Sequence, residues 1–223
     1  LQSGADFSKI ETLLITHSHS DHFRPLDLCL RGSVFAHGMS CEKLRIYCSE
    51  GVRRAFALGE ETEPFIASVR AALEFVTPEP LKLFRAGAYD VCAFRAQHMK
   101  SEQAHYYYVR ERATGKSLLQ AFDTGRIYPE TYDFMEENGL RADVVLLDCT
   151  MLAHEIDENS THMNIKACVT AAETLKKRNL LSAGARVFVT HFSHNGGMLH
   201  EDIERALAPY GLGVAYDGMA AEV

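Results

Sequence analysis

The chain has 223 residues, of which 47% are hydrophobic and 24% charged. That is enough apolar content for one buried core and too much for a disordered chain. Its formal charge is −7, from 23 basic and 30 acidic residues with 11 histidines taken as neutral, which argues against a broad basic surface gripping nucleic acid.

Short β-type runs and helical runs alternate along the chain, and the pattern fits one mixed α/β (α+β) domain over residues 1–223. Residues 13–16 and 44–48 read as strands, and 50–58 and 63–75 as helices, the second from the spacing of Phe65, Ile66, Val69 and Leu73. Residues 81–84 and 90–96 read as strands joined at Ala86-Gly87-Ala88. Residues 106–112 and 117–122 flank the hairpin signal Ala113-Thr114-Gly115-Lys116. Residues 129–137 read as a helix, 142–147 as a continuous apolar strand and 163–178 as an amphipathic helix whose basic end, Lys176-Lys177-Arg178, suits the helix dipole. A strand over 185–190, a helix over 199–208 and an extended end complete the reading. No apolar run approaches the ~20 residues that span a bilayer. The six cysteines lack Cys-x-x-Cys spacing. Reduced, mostly buried thiols in a cytoplasmic protein therefore fit better than a disulfide framework.

The chemistry concentrates in Thr16-His17-Ser18-His19-Ser20-Asp21-His22. Three imidazoles and a carboxylate follow directly on a buried strand. His17 and His19, two residues apart, project to the same side, while Asp21 and His22 fall on the next turn, within reach of a second point. Two adjacent points with nitrogen and oxygen donors describe a two-metal site.

His-x-His-x-Asp-His at a strand end resembles the signature of the metallo-β-lactamase-fold hydrolases. The resemblance implies an αββα sandwich with metals at the sheet edge and further ligands at later strand ends. His98, Asp123 in Phe122-Asp123-Thr124-Gly125, and His191 in Val189-Thr190-His191 stand in the expected order. By resemblance, His17, His19 and His98 hold one metal, Asp21, His22 and His191 the other, and Asp123 bridges them. A closer similarity covers most of the chain. The segments Asp148-Cys149-Thr150, Thr161-His162-Met163-Asn164, Thr190-His191-Phe192-Ser193-His194 and Tyr216-Asp217-Gly218-Met219 resemble the PhnP-like phosphoribosyl cyclic phosphate phosphodiesterases. In that group a histidine before the long helix donates a proton, and His162 matches it. The group also carries a structural zinc held by N-terminal cysteines and a histidine that His194 matches, but residues 1–16 contain no cysteine. The fold places several strands before its first motif, and only sixteen residues precede it here. The expectation is therefore a domain lacking its first strands, whose open edge and apolar surface would be a liability for a soluble monomer; a homodimer is a possible partner state.

Two divalent cations about 3.5–4 Å apart share a water and lower its pKa towards neutrality. The resulting hydroxide would attack a small or cyclic phosphate ester, with His162 protonating the leaving oxygen and Asp21 orienting the hydroxide. The donor set suits zinc or manganese, and iron also. The alternatives keep the fold and change the substrate: a nuclease, or a lactone, thioester or β-lactam hydrolase. A nuclease is disfavoured by the charge, and a di-iron oxygen reductase by His19, where that class carries Glu. A non-catalytic binding module is disfavoured by the complete ligand set. Asp148 reads as an orienting partner for a metal-bound histidine. His105 faces either the pocket or a neighbouring strand, and His194 has either a substrate-side or a structural role. His37, His154 and His200 read as surface residues.

Overall fold

The computed structural model describes residues 6–62 and 65–221. Two compact units emerge, Leu1–Glu79 with Lys100–His105, and Pro80–Met99 with Tyr106–Val223.

In the first unit, β1 (Thr12–Leu14), β2 (Leu44–Tyr47) and β3 (Leu73–Val76) form a three-stranded sheet in that order, with both pairings parallel. Parallel neighbours need crossovers. A 3-10 helix (Pro25–Arg31) lies between β1 and β2, and α1 (Glu50–Thr62) and α2 (Ala67–Ala71) lie between β2 and β3. Ser49 caps α1 by accepting from the Val52 amide at 3.3 Å. The core beneath is apolar, built from Ile15, Phe23, Ile46, Val52, Phe56, Phe65 and Val69 with their neighbours. Phe56 stacks obliquely on Phe65 and Phe75 at 5.3 and 4.7 Å. Burial of each such side chain stabilises the unit by about 1.5–3 kcal/mol.

One sequence expectation needs correction here. The helix read over 63–75 is only α2, and its C-terminal residues belong to β3. Leu73 suits the helical spacing and is equally the first inward residue of a buried strand, so periodicity alone does not separate them. Residues 63–64 of that span lie outside the described residues, as do residues 222–223 of the extended end.

In the second unit, seven strands run in the order β10-β9-β8-β7-β6-β5-β4. Here β4 is Leu83–Ala86, β5 Tyr89–Arg95, β6 His105–Glu111, β7 Ser117–Ala121, β8 Ala142–Asp148, β9 Leu181–Thr190 and β10 Gly213–Val214. The pairs β4/β5 and β6/β7 are antiparallel, and β7 to β10 run parallel. The hairpin between β6 and β7 turns at Gly115, whose φ of 75° favours glycine. The parallel crossovers carry α3 (Pro129–Glu137), α4 (Ile165–Lys177) and α5 (His200–Leu207). Tyr106, Tyr107 and Tyr108 are all buried in β6, so this strand is covered on both faces rather than alternating between core and solvent. Of the six cysteines, Cys48, Cys92, Cys149 and Cys168 are buried and all six are free thiols, as the sequence implied.

The parallel strands β7, β8 and β9 bring their C-terminal ends to one edge of the sheet, where open α/β sheets bind ligands. Asp123, Asp148 and His191 sit at or just beyond those ends. Among the described residues, no helix is long and apolar enough to cross a membrane.

Candidate functional site

Within the first unit, a histidine-rich loop leaves β1. His17 is buried, and its Nδ1 lies 2.9 Å from Thr16 Oγ1. That contact leaves Nε2 as the nitrogen turned to the loop interior, where it faces His19 Nδ1 at 2.9 Å. The His22 ring stands 4.4 Å from that of His17. Three imidazoles thus converge from a stretch of six residues. Asp21 is placed differently. Its carboxylate is 71% exposed and lies 3.4 Å from His22 Nε2. Burial would raise its pKa, but its backbone hydrogen bond and the imidazoles of His22, His19 and His17 outweigh that and hold it below the usual carboxylate value.

Within the second unit lies a denser cluster of its own. Asp123, 3% exposed, points Oδ1 at three imidazole nitrogens: His191 Nε2 at 3.5 Å, His98 Nε2 at 3.8 Å and His162 Nδ1 at 3.8 Å. These separations are too long for hydrogen bonds. Ligand atoms on a tetrahedral zinc, with bonds of ~2.0–2.2 Å, stand roughly 3.3–3.6 Å apart, so the spacing suits donors arranged around a cation. Two rings have their other nitrogen anchored: His98 Nδ1 at 3.2 Å from the Thr161 carbonyl and His191 Nδ1 at 2.7 Å from Thr150 Oγ1. Each anchor fixes the tautomer that turns Nε2 towards Asp123, the arrangement usual for metal-ligating histidines.

The backbone reflects the same demand. Asp123 and His191 have φ of 48° and 62°, two of five non-glycine residues with positive φ among those described. Side chains other than glycine seldom occupy this region, and such conformations concentrate at functional sites.

Asp148 has another role in the cluster. It is fully buried, and its Oδ2 accepts from His162 Nδ1 at 2.7 Å and from the Thr124 amide at 3.2 Å. Its Oδ1 accepts from the Thr150 amide and hydroxyl at 2.9 and 2.8 Å. With these donors its charge is compensated by hydrogen bonds. The sequence reading made Asp148 the partner of a metal-ligating histidine. In the structure it holds His162 directly and reaches His191 only through the Thr150 hydroxyl.

The supporting loops were missed at the sequence level. Gln97 Nε2 donates to the Glu158 and Ser160 carbonyls at 2.8 and 2.7 Å, and the Gln97 amide donates to Thr124 Oγ1 at 3.0 Å. Gly125 lies so close to Ser160 that a Cβ there would stand 1.7 Å from its carbonyl oxygen. Thr150, Gln97 and Gly125 occupy no spacing motif, so only the fold reveals them. The remaining histidines fall elsewhere. His105 is buried at the start of β6, and its amide donates to the Thr16 carbonyl at 2.8 Å. His37 and His194 are exposed. His154 Nε2 lies 3.2 Å from the Asn195 carbonyl, and His200 pairs with Glu204 at 3.3 Å.

Comparison with known proteins follows from this geometry. Residues 1–192 match the beta-lactamase superfamily domain. No curated protein sequence matches the chain. Solved structures share its fold. A diphosphatase from the PhnP family aligns with a TM-score of 0.69 at 23% identity, over 97% of this chain and 73% of that one. Yeast PDE1 gives 0.70 at 17% identity, over 97% and 71%. The short form of human tRNase Z gives 0.64 at 18% identity, over 98% and 81%. At these identities the likeness is one of fold. With residues 1–192 matched and two α/β units of this architecture, the chain belongs to the beta-lactamase superfamily and carries the metallo-β-lactamase fold of its metal-dependent hydrolases.

Proposed function

We propose that the protein is a phosphodiesterase that hydrolyses a small or cyclic phosphate ester with the aid of two divalent cations, zinc or manganese, with iron also compatible with the donors. The observation that carries this reading is the His162–Asp148 contact of 2.7 Å. It fixes a proton-exchanging ring in the same cluster as Asp123 and His191, whose spacing suits a cation. A diphosphatase among the fold relatives is in keeping with it.

In this reading His17, His19 and His98 would hold one cation, Asp21, His22 and His191 would hold the other, and Asp123 would serve both. The bound cations would neutralise phosphoryl oxygens and bring the pKa of a water towards neutrality. The chain's own groups do the rest. Asp148 accepts from His162 Nδ1 and so favours the imidazolium form, whose Nε2 proton passes to the leaving oxygen and leaves the ring neutral with Nδ1–H still held. Such general acid catalysis typically contributes ~10²–10⁴-fold. Asp21, the motif's exposed carboxylate, orients the attacking water. Thr150 holds the His191 ring, and Gln97 fixes the loop that carries His162.

The test combines elemental analysis with a bis-p-nitrophenyl phosphate assay on one preparation. The expected result is close to two divalent ions per chain, with activity lost on chelation and in His17→Ala. Fewer than one ion per chain, or full activity in His17→Ala, overturns the reading.

A further inference from the structure

The histidine-rich loop has little regular structure of its own to hold it. Residues 15–19 lie beyond the end of β1 and belong to no helix or strand. Two contacts from one short segment hold this stretch on either side of His17. The His105 amide donates to the Thr16 carbonyl at 2.8 Å. The Ser18 amide, between His17 and His19, donates to Glu102 Oε1 at 2.7 Å across 84 positions of sequence. All of these residues lie within the first unit.

The second oxygen of Glu102 is accommodated by a missing side chain. Gly51 lies in the first turn of α1, and a Cβ built on it would stand 1.5 Å from Glu102 Oε2 and 2.3 Å from its Cδ. The half-buried carboxylate therefore sits against the N-terminal turn of a 13-residue helix, whose dipole favours an anion there. An anionic acceptor also shortens and strengthens the bond from the Ser18 amide.

We propose that Glu102 is a positioning residue that sets the His17–His19 peptide for metal binding, and that Gly51 is the space reserved for it. This inference rests on the metal reading given above. Glu102 acts through Ser18: it holds the peptide between two ligands, so the imidazoles are pre-arranged before a cation arrives. Groups outside the ligand set that orient ligands typically account for ~10–100-fold in metal affinity.

The experiment is a competition titration of zinc against a chromophoric chelator, with the melting temperature of the metal-free protein measured in parallel. Glu102→Ala is expected to weaken zinc binding by ~10–100-fold. Glu102→Gln, which keeps an oxygen acceptor for Ser18, is expected to recover most of that loss. Gly51→Ala separates positioning from general stability. Alanine is a better helix former than glycine, so helix stability alone predicts no harm. Displacement of the carboxylate predicts weakened zinc binding comparable to Glu102→Ala. The double variant is expected to be no worse than Glu102→Ala, because both changes remove one interaction. Stoichiometric zinc binding by the wild type with unchanged affinity in Glu102→Ala overturns the role of Glu102 and leaves the metal reading standing. A wild type that binds no zinc, or His17→Ala with wild-type affinity, overturns the metal reading and this inference with it. Should Glu102→Ala not fold, wild-type affinity in Gly51→Ala overturns the inference by itself.

Discussion

The sharpest consequence of the site geometry concerns His162→Ala. The ring is 20% exposed, and its Nδ1 is held 2.7 Å from a carboxylate with no exposure. Truncation removes the proposed proton donor and one donor to Asp148 Oδ2, leaving the Thr124 amide at 3.2 Å. Two costs follow, and they are separable. Removing a partner from a buried charged acceptor destabilises the fold by about 1–3 kcal/mol, readable as a lowered denaturant midpoint. Loss of general acid catalysis slows turnover by ~10²–10⁴-fold, or about 2.7–5.5 kcal/mol of barrier. The second loss depends on the leaving group. An aryl ester such as bis-p-nitrophenyl phosphate departs as a stable anion and needs little help, whereas an alkyl ester departs as an alkoxide and needs its proton. The assay is therefore kcat on a matched aryl and alkyl pair, with metal content measured by elemental analysis. The expected outcome is retained metal, a modest loss on the aryl ester and a large loss on the alkyl ester. Equal kcat for wild type and variant on the alkyl ester would refute the proton-donor role. An equal loss on both substrates with metal gone would move His162 into the ligand set.

Three further changes probe the surroundings. Thr150→Val removes the hydroxyl between His191 Nδ1 and Asp148 Oδ1, so metal affinity is expected to fall ~10–100-fold; a chelator titration reads it. Gly125→Ala drives a Cβ to within 1.7 Å of the Ser160 carbonyl, so the loop carrying His162 must shift. Such overpacking costs about 1–3 kcal/mol, and slow turnover with bound metal retained is expected in the same assay. In the native protein at pH 8, only Cys29 and Cys41 are expected to react readily with a thiol reagent. The other four are buried, and burial pushes the Cys48 and Cys92 thiols up to about 12, leaving almost no thiolate. Rapid modification of more than two thiols before unfolding contradicts this.

How much of this was legible beforehand depended on whether the signal was local. The loop carrying His17 to His22 announces itself because its donors are adjacent. His98, Asp123 and His191 are each single residues at the end of an apolar run, legible only once a family pattern supplies their order. β3 was absorbed into a helix because its apolar residues continued a helical spacing. The start of β9 at Leu181 was hidden by Ser182, Ala183 and Gly184, a weak strand signal that pairing with β8 overrides. The contacts that support the site were invisible for a different reason. Glu102 meets Ser18 across 84 positions, and Thr150 meets His191 across 41. No periodicity encodes such contacts, because their partners lie far apart in sequence and meet only in the folded chain.

The left-handed conformations of Asp123 and His191 tie the sheet to the chemistry. Each departs from the backbone preference of its residue type, at a cost of order 1–3 kcal/mol. Neither position can relax without breaking contacts beside it. The residue after Asp123 is Thr124, whose amide is bound to Asp148 and whose hydroxyl donates to the Arg126 carbonyl at 2.6 Å. The residue before His191 is Thr190, whose carbonyl accepts from the Cys149 amide at 2.9 Å at the end of the β8–β9 ladder. The strands β7, β8 and β9 therefore overdetermine the turns that follow them. That rigidity lets a carboxylate and an imidazole face each other at 3.5 Å, a distance set by the backbone and not by their own hydrogen bond. An acidic chain of charge −7 would by itself be a poor receptor for the anionic ester proposed above. Donors held apart at a spacing that suits a cation make this edge of the sheet a place where bound cations would concentrate positive charge.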